Sequence, residues 1–290
     1  MGFNIKTTEL LIQAKKLGVD FSKVATIGRQ TLNGSFIEFE NLFKSYGYKE
    51  EDLENIISRK NRYSEGFLNS LGAVSIDTFD ASNYEGATRI WDMNLPIPQD
   101  LKENYSLLID SGSLEHIFNF PQAIKNCMEM VKEGGHMIGV TPSNNFFGHG
   151  FYQFSPELFY RVFSKENGFE LKTMWLFFPR SNSPIYEVID PVDVKSRVSL
   201  SNSEETFLFY IAQRTEIKSI FSSFPQQSDY QNIMWNTNSF SPKDKKGMSQ
   251  LLPNFLAKMG VRILRKLKFL KTISNPLGTA NKNYFKRVEF

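Results

Sequence analysis

Asp80, Asp92 and Asp110 stand at the ends of three apolar, strand-like runs, Ala73 to Phe79, Ala87 to Trp91 and Tyr105 to Ile109. In open α/β sheets ligands sit outside the carboxyl ends of the strands, so acids placed there can accept hydrogen bonds from a bound molecule. Asp80 suits ribose hydroxyls and Asp92 an adenine amino group. Gly28 follows a further run, Val24 to Ile27, where a backbone without a Cβ can approach a ligand closely. Three histidines are present. His116 closes a Leu-Glu-His triplet after the fourth strand, and His149 lies between two glycines after the fifth. His136 begins a strand and reads as structural. An imidazole titrates near neutral pH and is the usual general base. His149 is the favoured base, His116 the second choice, and Glu115 the group that orients one of them. Scattered histidines and a lone cysteine form no ligand spacing, so no metal is expected.

Each of these residues has a structural alternative. Gly28 can be a turn glycine, Asp80 and Asp92 can be turn or cap acids, and His116 can be a satisfied structural histidine. Phe151, Tyr152 and Phe154 read as core or lid residues, with an acceptor pocket as the other use of their faces. Cys127 falls at core spacing on a helix.

The elements that must position these groups follow from periodicity. Residues 5–18 predict a helix with Leu10, Leu11, Ala14 and Leu17 on one face. A second helix spans 36–48, a third carries Leu53, Ile56 and Ile57, and residues 120–132 and 156–163 begin with a proline in the first turn. Gly134-Gly135 ends the helix at 120–132, His136 to Val140 is a strand stopped by Pro142, and 171–178 and 206–212 are two further strands. Residues 179–203 read as a long loop. Strands alternating with helices predict an α/β fold, a Rossmann-like, doubly wound, mostly parallel sheet with helices on both faces.

The 290 residues are 41% hydrophobic and 22% charged, the composition of an ordinary globular protein. Cys127 is the only cysteine, which excludes an intrachain disulfide and fits a reducing, cytoplasmic setting. The N-terminal stretch lacks the continuous apolar run of a signal peptide, and no run of about 18 apolar residues predicts a membrane span. The net charge of +3 is uneven: residues 243–290 carry twelve lysines or arginines against two acids, a local +10 that leaves −7 elsewhere. The expected organisation is a domain over 1–213, a linker over 214–250 and a basic C-terminal extension over 251–290. A helix over 251–272 has three uses open to it: a solvated or docking helix, a basic amphipathic helix on an anionic membrane surface, or a nucleic-acid contact.

The series ATRIWDMNLPIPQDL at 87–101, YSLLIDSGSLEHIFNF at 105–120 and VKEGGHMIGVTP at 131–142 resembles the class I, Rossmann-like S-adenosylmethionine-dependent methyltransferases. The stretch NNFFGHGFYQFSPELF at 144–159 is similar to members associated with sugar and surface-glycan modification. The resemblance spans about residues 20–180. It implies S-adenosylmethionine as cofactor, with Gly28, Asp80, Asp92 and Met93 around it and Asp110 and Ser111 near its methionine end. It implies O-methylation of a small-molecule or glycan acceptor, in surface polysaccharide biosynthesis. The glycine motif departs from the family pattern: in ATIGRQTL at 25–32 only Gly28 is kept, Thr26 stands where an acid is expected, and Arg29 and Gln30 replace small residues. That departure motivates a competing reading, an inactive scaffold that retains the fold. An RNA methyltransferase using the basic tail is a third. A nicotinamide dehydrogenase is disfavoured because no G-x-G-x-x-G follows any strand.

Overall fold

The computed structural model describes residues 2–57, 61–230 and 278–290. In chain order the elements are β1 (Gly2–Asn4), α1 (Ile5–Lys16), β2 (Lys23–Ile27), β3 (Thr31–Asn33), α2 (Phe36–Ser45), α3 (Glu50–Ile56), α4 (Glu65–Ser70), β4 (Ser75–Asp80), β5 (Arg89–Ile90), β6 (Tyr105–Ser111), α5 (Phe120–Met130), β7 (Val131–Asn144), α6 (Pro156–Val162), β8 (Phe169–Phe177), β9 (Ile185–Val188), α7 (Pro191–Val194), β10 (Thr206–Arg214) and β11 (Phe285–Val288). The chain divides into two compact units, Met1–Glu187 with Glu204–Pro225 and Arg287–Phe290, and Val188–Ser203 with Gln226–Lys286.

The first unit is an α/β sheet in the order β9-β8-β10-β7-β6-β2-β4-β5. Strands β5, β4, β2, β6 and β7 are parallel, while β10 runs antiparallel between β7 and β8. The chain winds outward from β2 to β4 and β5, then returns to the other side of β2 as β6. The reversal opens a crevice beyond the carboxyl ends of β2 and β6, the switch point at which such sheets bind ligands.

Both faces of the sheet are covered because its strands present apolar residues on alternate sides. Leu107 and Ile109 of β6, Ile138 and Val140 of β7, and Phe209 and Ile211 of β10 join one core with Leu10, Leu11 and Ala14 of α1, Phe39 and Phe43 of α2, and Phe67 of α4. On the opposite side Tyr210 of β10 stacks on Phe159 of α6, with ring centroids 4.4 Å apart. Asn4 caps α1 by accepting from Thr7 N, and Ser35 with Glu38 forms a reciprocal capping box on α2.

The structure moves several expected boundaries. Helix α1 stops at Lys16, so Leu17 leaves the buried face and is 60% exposed. The helix at 120 ends at Met130, and Gly134-Gly135 lies within β7. Pro142 does not stop β7. It sits opposite Phe207, beside the shift in register between Thr206 and Phe207, and its carbonyl accepts from Phe154 N at 2.9 Å. The predicted 179–203 loop contains β9 and α7. Strands β1 and β3, which pair in parallel, are too short to show a period.

In the second unit Asp190 caps α7 through Val192 N, Ile189 N donates to Tyr284 O, and Arg197 pairs with Asp229. The predicted basic helix at 251–272 lies outside the described residues, as does the linker from 231 onward. Among the described residues no helix is long and apolar enough to cross a membrane.

Candidate active site

A cleft of about 380 Å³ opens at the switch point, within the range of small-molecule sites. Each strand end contributes to its wall: Ile27 and Gly28 after β2, Phe79 to Ala81 after β4, Trp91 to Asn94 after β5, and Ser113, His116 and Ile117 after β6. Gly28, Asp80, Asp92, Met93 and His116 are thereby brought together.

The turn at Gly28 explains how the chain manages without further glycines. Gly28 has φ +72, which a residue with a Cβ adopts only at a cost. Its N–H donates to Phe79 O, and Thr26 Oγ1 donates to Gly28 O. Buried Gln30 turns inward and donates through Nε2 to Ile27 O at 2.7 Å. Ser113 Oγ reaches the same carbonyl at 2.6 Å, stapling the loop after β6 to the turn after β2. Arg29 is drawn to the β4–β5 side, with Nε on Glu65 at 2.7 Å, a bond to Glu85 O and its guanidinium 3.6 Å from the Tyr63 ring centre. No helix begins at this turn. The chain continues as β3, and α2 starts only at Phe36.

The two acids are pre-set by short local bonds. Asp80 Oδ1 accepts from Ser82 N at 2.9 Å, and Asp92 Oδ1 accepts from Asn94 N and Nδ2 at 2.9 and 2.8 Å. The second oxygen of each is left for a ligand. The Asn94 backbone N–H, followed by its side chain, lowers the exposed Asp92 carboxyl below its usual range. Met93 is buried beneath the cleft, and its loop is held from α5: Asn126 Nδ2 donates to Met93 O and Leu95 O, while Ile97 N donates to Asn126 Oδ1. Asn126, Ser113 and Gln30 are supports that periodicity did not reveal. Ser113 alone had a signal, its place just before the Leu-Glu-His triplet.

Asp110 and Ser111 do not line this wall, because β6 runs two residues further than expected and takes both into the interior. Ser111 Oγ donates to Gly2 O. Asp110 is fully buried, with Oδ1 accepting from Ser113 N and Oδ2 without a partner. Burial first, and then the Glu115 charge, pushes the Asp110 carboxyl well above its usual range. A raised folded value means that the folded protein keeps a proton which the unfolded chain releases above about pH 4. That stabilisation is complete below the unfolded value and is lost as pH rises toward the folded one. Asp110→Asn keeps the Ser113 acceptor and cannot ionise. Its melting temperature should match wild type near pH 4 and exceed it by about 5 °C near pH 8. A difference that does not change with pH would remove this account.

Beside the cleft, Glu115, His116 and His149 converge. A turn of 3₁₀ helix carries Glu115 and His116. The Gly148–Gly150 turn is clipped onto it, with Phe151 N donating to Glu115 O at 2.8 Å. Gly150, at φ +66, lies so close to the Glu115 backbone that a Cβ would fall 2.9 Å from its carbonyl oxygen. His149 Nε2 consequently faces Glu115 Oε1 at 3.5 Å, and the two imidazole rings lie 4.9 Å apart. The Glu115 side chain is 1% exposed and that of His149 48%. Burial raises the Glu115 carboxyl, while burial and then the His149 charge lower His116. His136 sits toward the amino end of β7, away from the cleft, opposite Leu107. Phe154 is buried core, whereas Phe118, Phe147 and Phe151 are exposed. Phe118 and Phe151 meet edge to face at 5.8 Å, and Tyr152 OH ties down Phe118 O.

No family model matches this chain. No curated protein matches it. Among solved structures it is similar to a SAM-dependent methyltransferase from Thermotoga maritima, at 15% identity with 73% of this chain and 90% of that one covered and a TM-score of 0.36. It is similar to another from Mesorhizobium loti, at 12% identity with 70% and 96% covered and a TM-score of 0.36. The trans-methyltransferase CalH in complex with SAH gives 13% identity, 71% and 55% covered, and a TM-score of 0.38.

Proposed function

We propose that this chain is an S-adenosylmethionine-dependent methyltransferase, with the cofactor in the switch-point cleft and the acceptor against Glu115, His116 and His149. The observation that carries this reading is the meeting of Gly28, Asp80, Asp92, Met93 and His116 on one cleft. The lining fits the group chemically. Two carboxylates, each with an uncommitted oxygen, suit a nucleoside with hydroxyl and amino donors and a positive sulfonium. The same carboxylates repel phosphates, and no helix N-terminus stands at the first turn to receive a pyrophosphate. The turn at Gly28 keeps its shape through Thr26 and Gln30, which answers the departure that favoured a scaffold.

When bound, S-adenosylmethionine supplies an electrophilic methyl group on a cationic sulfur. The chain's own part is to hold both partners in line and to take a proton from the acceptor. His149, half exposed and backed by buried Glu115, accepts that proton, and the carboxylate stabilises the imidazolium that forms. His116 borders both the cleft and the cluster. The exposed rings of Phe118 and Phe151 suit the apolar face of a sugar, so a hydroxyl of a glycan-related acceptor is the proposed methylation site.

Calorimetric titration with S-adenosylmethionine and S-adenosylhomocysteine tests the reading. Micromolar binding is expected, weakened about 10-fold by Asp92→Ala, the loss expected when one hydrogen bond to an exposed acid is removed. No binding by the wild type would move the scaffold reading ahead.

A further inference from the structure

We infer that Glu115, His116 and His149 form a site for one divalent transition-metal ion, of the zinc or iron type, open toward the acceptor side of the cleft. Three observations support it. First, each residue offers a ligand atom, and these atoms lie within 4.8 Å of one another. Two ligands on a tetrahedral ion at about 2.1 Å stand about 3.4 Å apart, which the 3.5 Å between His149 Nε2 and Glu115 Oε1 already matches, while the widest pair must close by up to about 1.4 Å. Gly148, where an added Cβ would meet nothing, flanks His149 on its open side.

Second, two imidazoles sharing a tetrahedral or octahedral ion hold their ring centres roughly 5 Å apart. The rings of His116 and His149 are 4.9 Å apart, at 68° to one another. Third, the Glu115 side chain is 1% exposed, yet its Oε2 has no hydrogen-bond partner, while Oε1 faces His149 Nε2 at 3.5 Å. A buried carboxylate with an unused oxygen is costly unless a cation meets it. Two neutral imidazoles and one carboxylate are borderline ligands that select zinc or iron over magnesium or calcium.

This inference rests on the methyl-transfer reading for its acceptor, and the bound ion replaces His149 as the base. An ion held by His149 and the Glu115 carboxylate replaces the proton those groups would share. A metal-bound neutral imidazole keeps its proton on Nδ1 and is no longer a base. The ion takes over: an acceptor hydroxyl completes the coordination, and the ion lowers its pKa so that the proton passes to solvent. The acceptor is thus an oxygen ligand.

The full-length protein is titrated with cobalt(II) chloride as spectroscopic probe and with zinc chloride by calorimetry. The expected result is one equivalent at micromolar affinity, with visible cobalt absorption. Binding should weaken roughly 100-fold in His149→Ala and in Glu115→Gln and stay unchanged in His136→Ala. His149 is exposed in a turn, so its variant should fold, and retained S-adenosylhomocysteine binding would confirm that. No saturable uptake up to about 1 mM, or uptake indifferent to His149→Ala, overturns the site. Cobalt binding without cofactor binding would sink the methyl-transfer reading and leave the metal site standing. The reverse pattern would do the opposite.

Discussion

Asp80→Ala is expected to weaken S-adenosylhomocysteine binding about 100-fold, more than any other single change in the cleft, because a ribose presents two hydroxyls to one carboxylate and each charged hydrogen bond is worth about 1.5–3 kcal/mol. Asp80 closes β4, lines the cleft, and is held by Ser82 N and Ser82 Oγ on Oδ1, so its position does not depend on the ligand. The loss should be larger than for Asp92, which is exposed and in this reading meets a single amino group, whereas Asp80 meets two hydroxyls. Removing Asp80 also removes the bond that shapes the turn after β4, which should lower the melting temperature by about 2–4 °C. Asp80→Asn keeps one oxygen acceptor and should fall between the two. Calorimetry on folded protein separates these outcomes. An Asp80→Ala variant that binds S-adenosylhomocysteine as wild type does would show that the acid is only a turn residue, and the nucleoside would have to lie elsewhere.

The parts of this site that were legible in the sequence share a cause. Strands β2, β4 and β5 close on or are followed by a residue able to bond a ligand, and sheet topology brings strand ends together whatever the distance along the chain. Gly28, Asp80, Asp92 and His116 could therefore be read before their geometry was known. What was not legible depended on where one side chain points. Gln30 and Arg29 stand where small residues were expected, yet one turns in to bond Ile27 O and the other is drawn to Glu65. Neither direction follows from residue type. Asp110 was misplaced because β6 continues through it and Ser111, and a strand buried on both faces keeps both side chains in the interior. Glu115, His116 and His149 group by residue type as base and orienting acid, but their distances could not be read because they come from two separate loops. They meet only because Phe151 N and Tyr152 N both donate to Glu115 O.

Gly139→Ala is the substitution expected to damage the fold most. Gly139 lies in the middle of β7, opposite Tyr210 of β10 and Asp110 of β6. The ring of Tyr210 lies over it, so that an added Cβ would overlap Cζ, Cε1 and the hydroxyl oxygen. The ring has no route of escape. Tyr210 is fully buried, stacked on Phe159 at 4.4 Å and tilted against Phe163 at 5.1 Å. Relief requires either β7 and β10 to separate or the Tyr210 ring to push α6 outward. Overpacking of this kind costs about 3 kcal/mol, equivalent to a drop of roughly 6–12 °C in melting temperature. Tyr210→Phe should not rescue Gly139→Ala, because ring carbons as well as the hydroxyl meet the new methyl group. Tyr210→Ala, destabilising by itself, should make Gly139→Ala nearly neutral, a coupling that a double-mutant cycle measures directly. Near-additive effects in that cycle would mean that the glycine is required for some other reason than the ring. Since Gly139 lies below the cleft and not on its wall, the folded fraction of Gly139→Ala should bind S-adenosylhomocysteine as wild type does, so the defect belongs to packing and not to recognition.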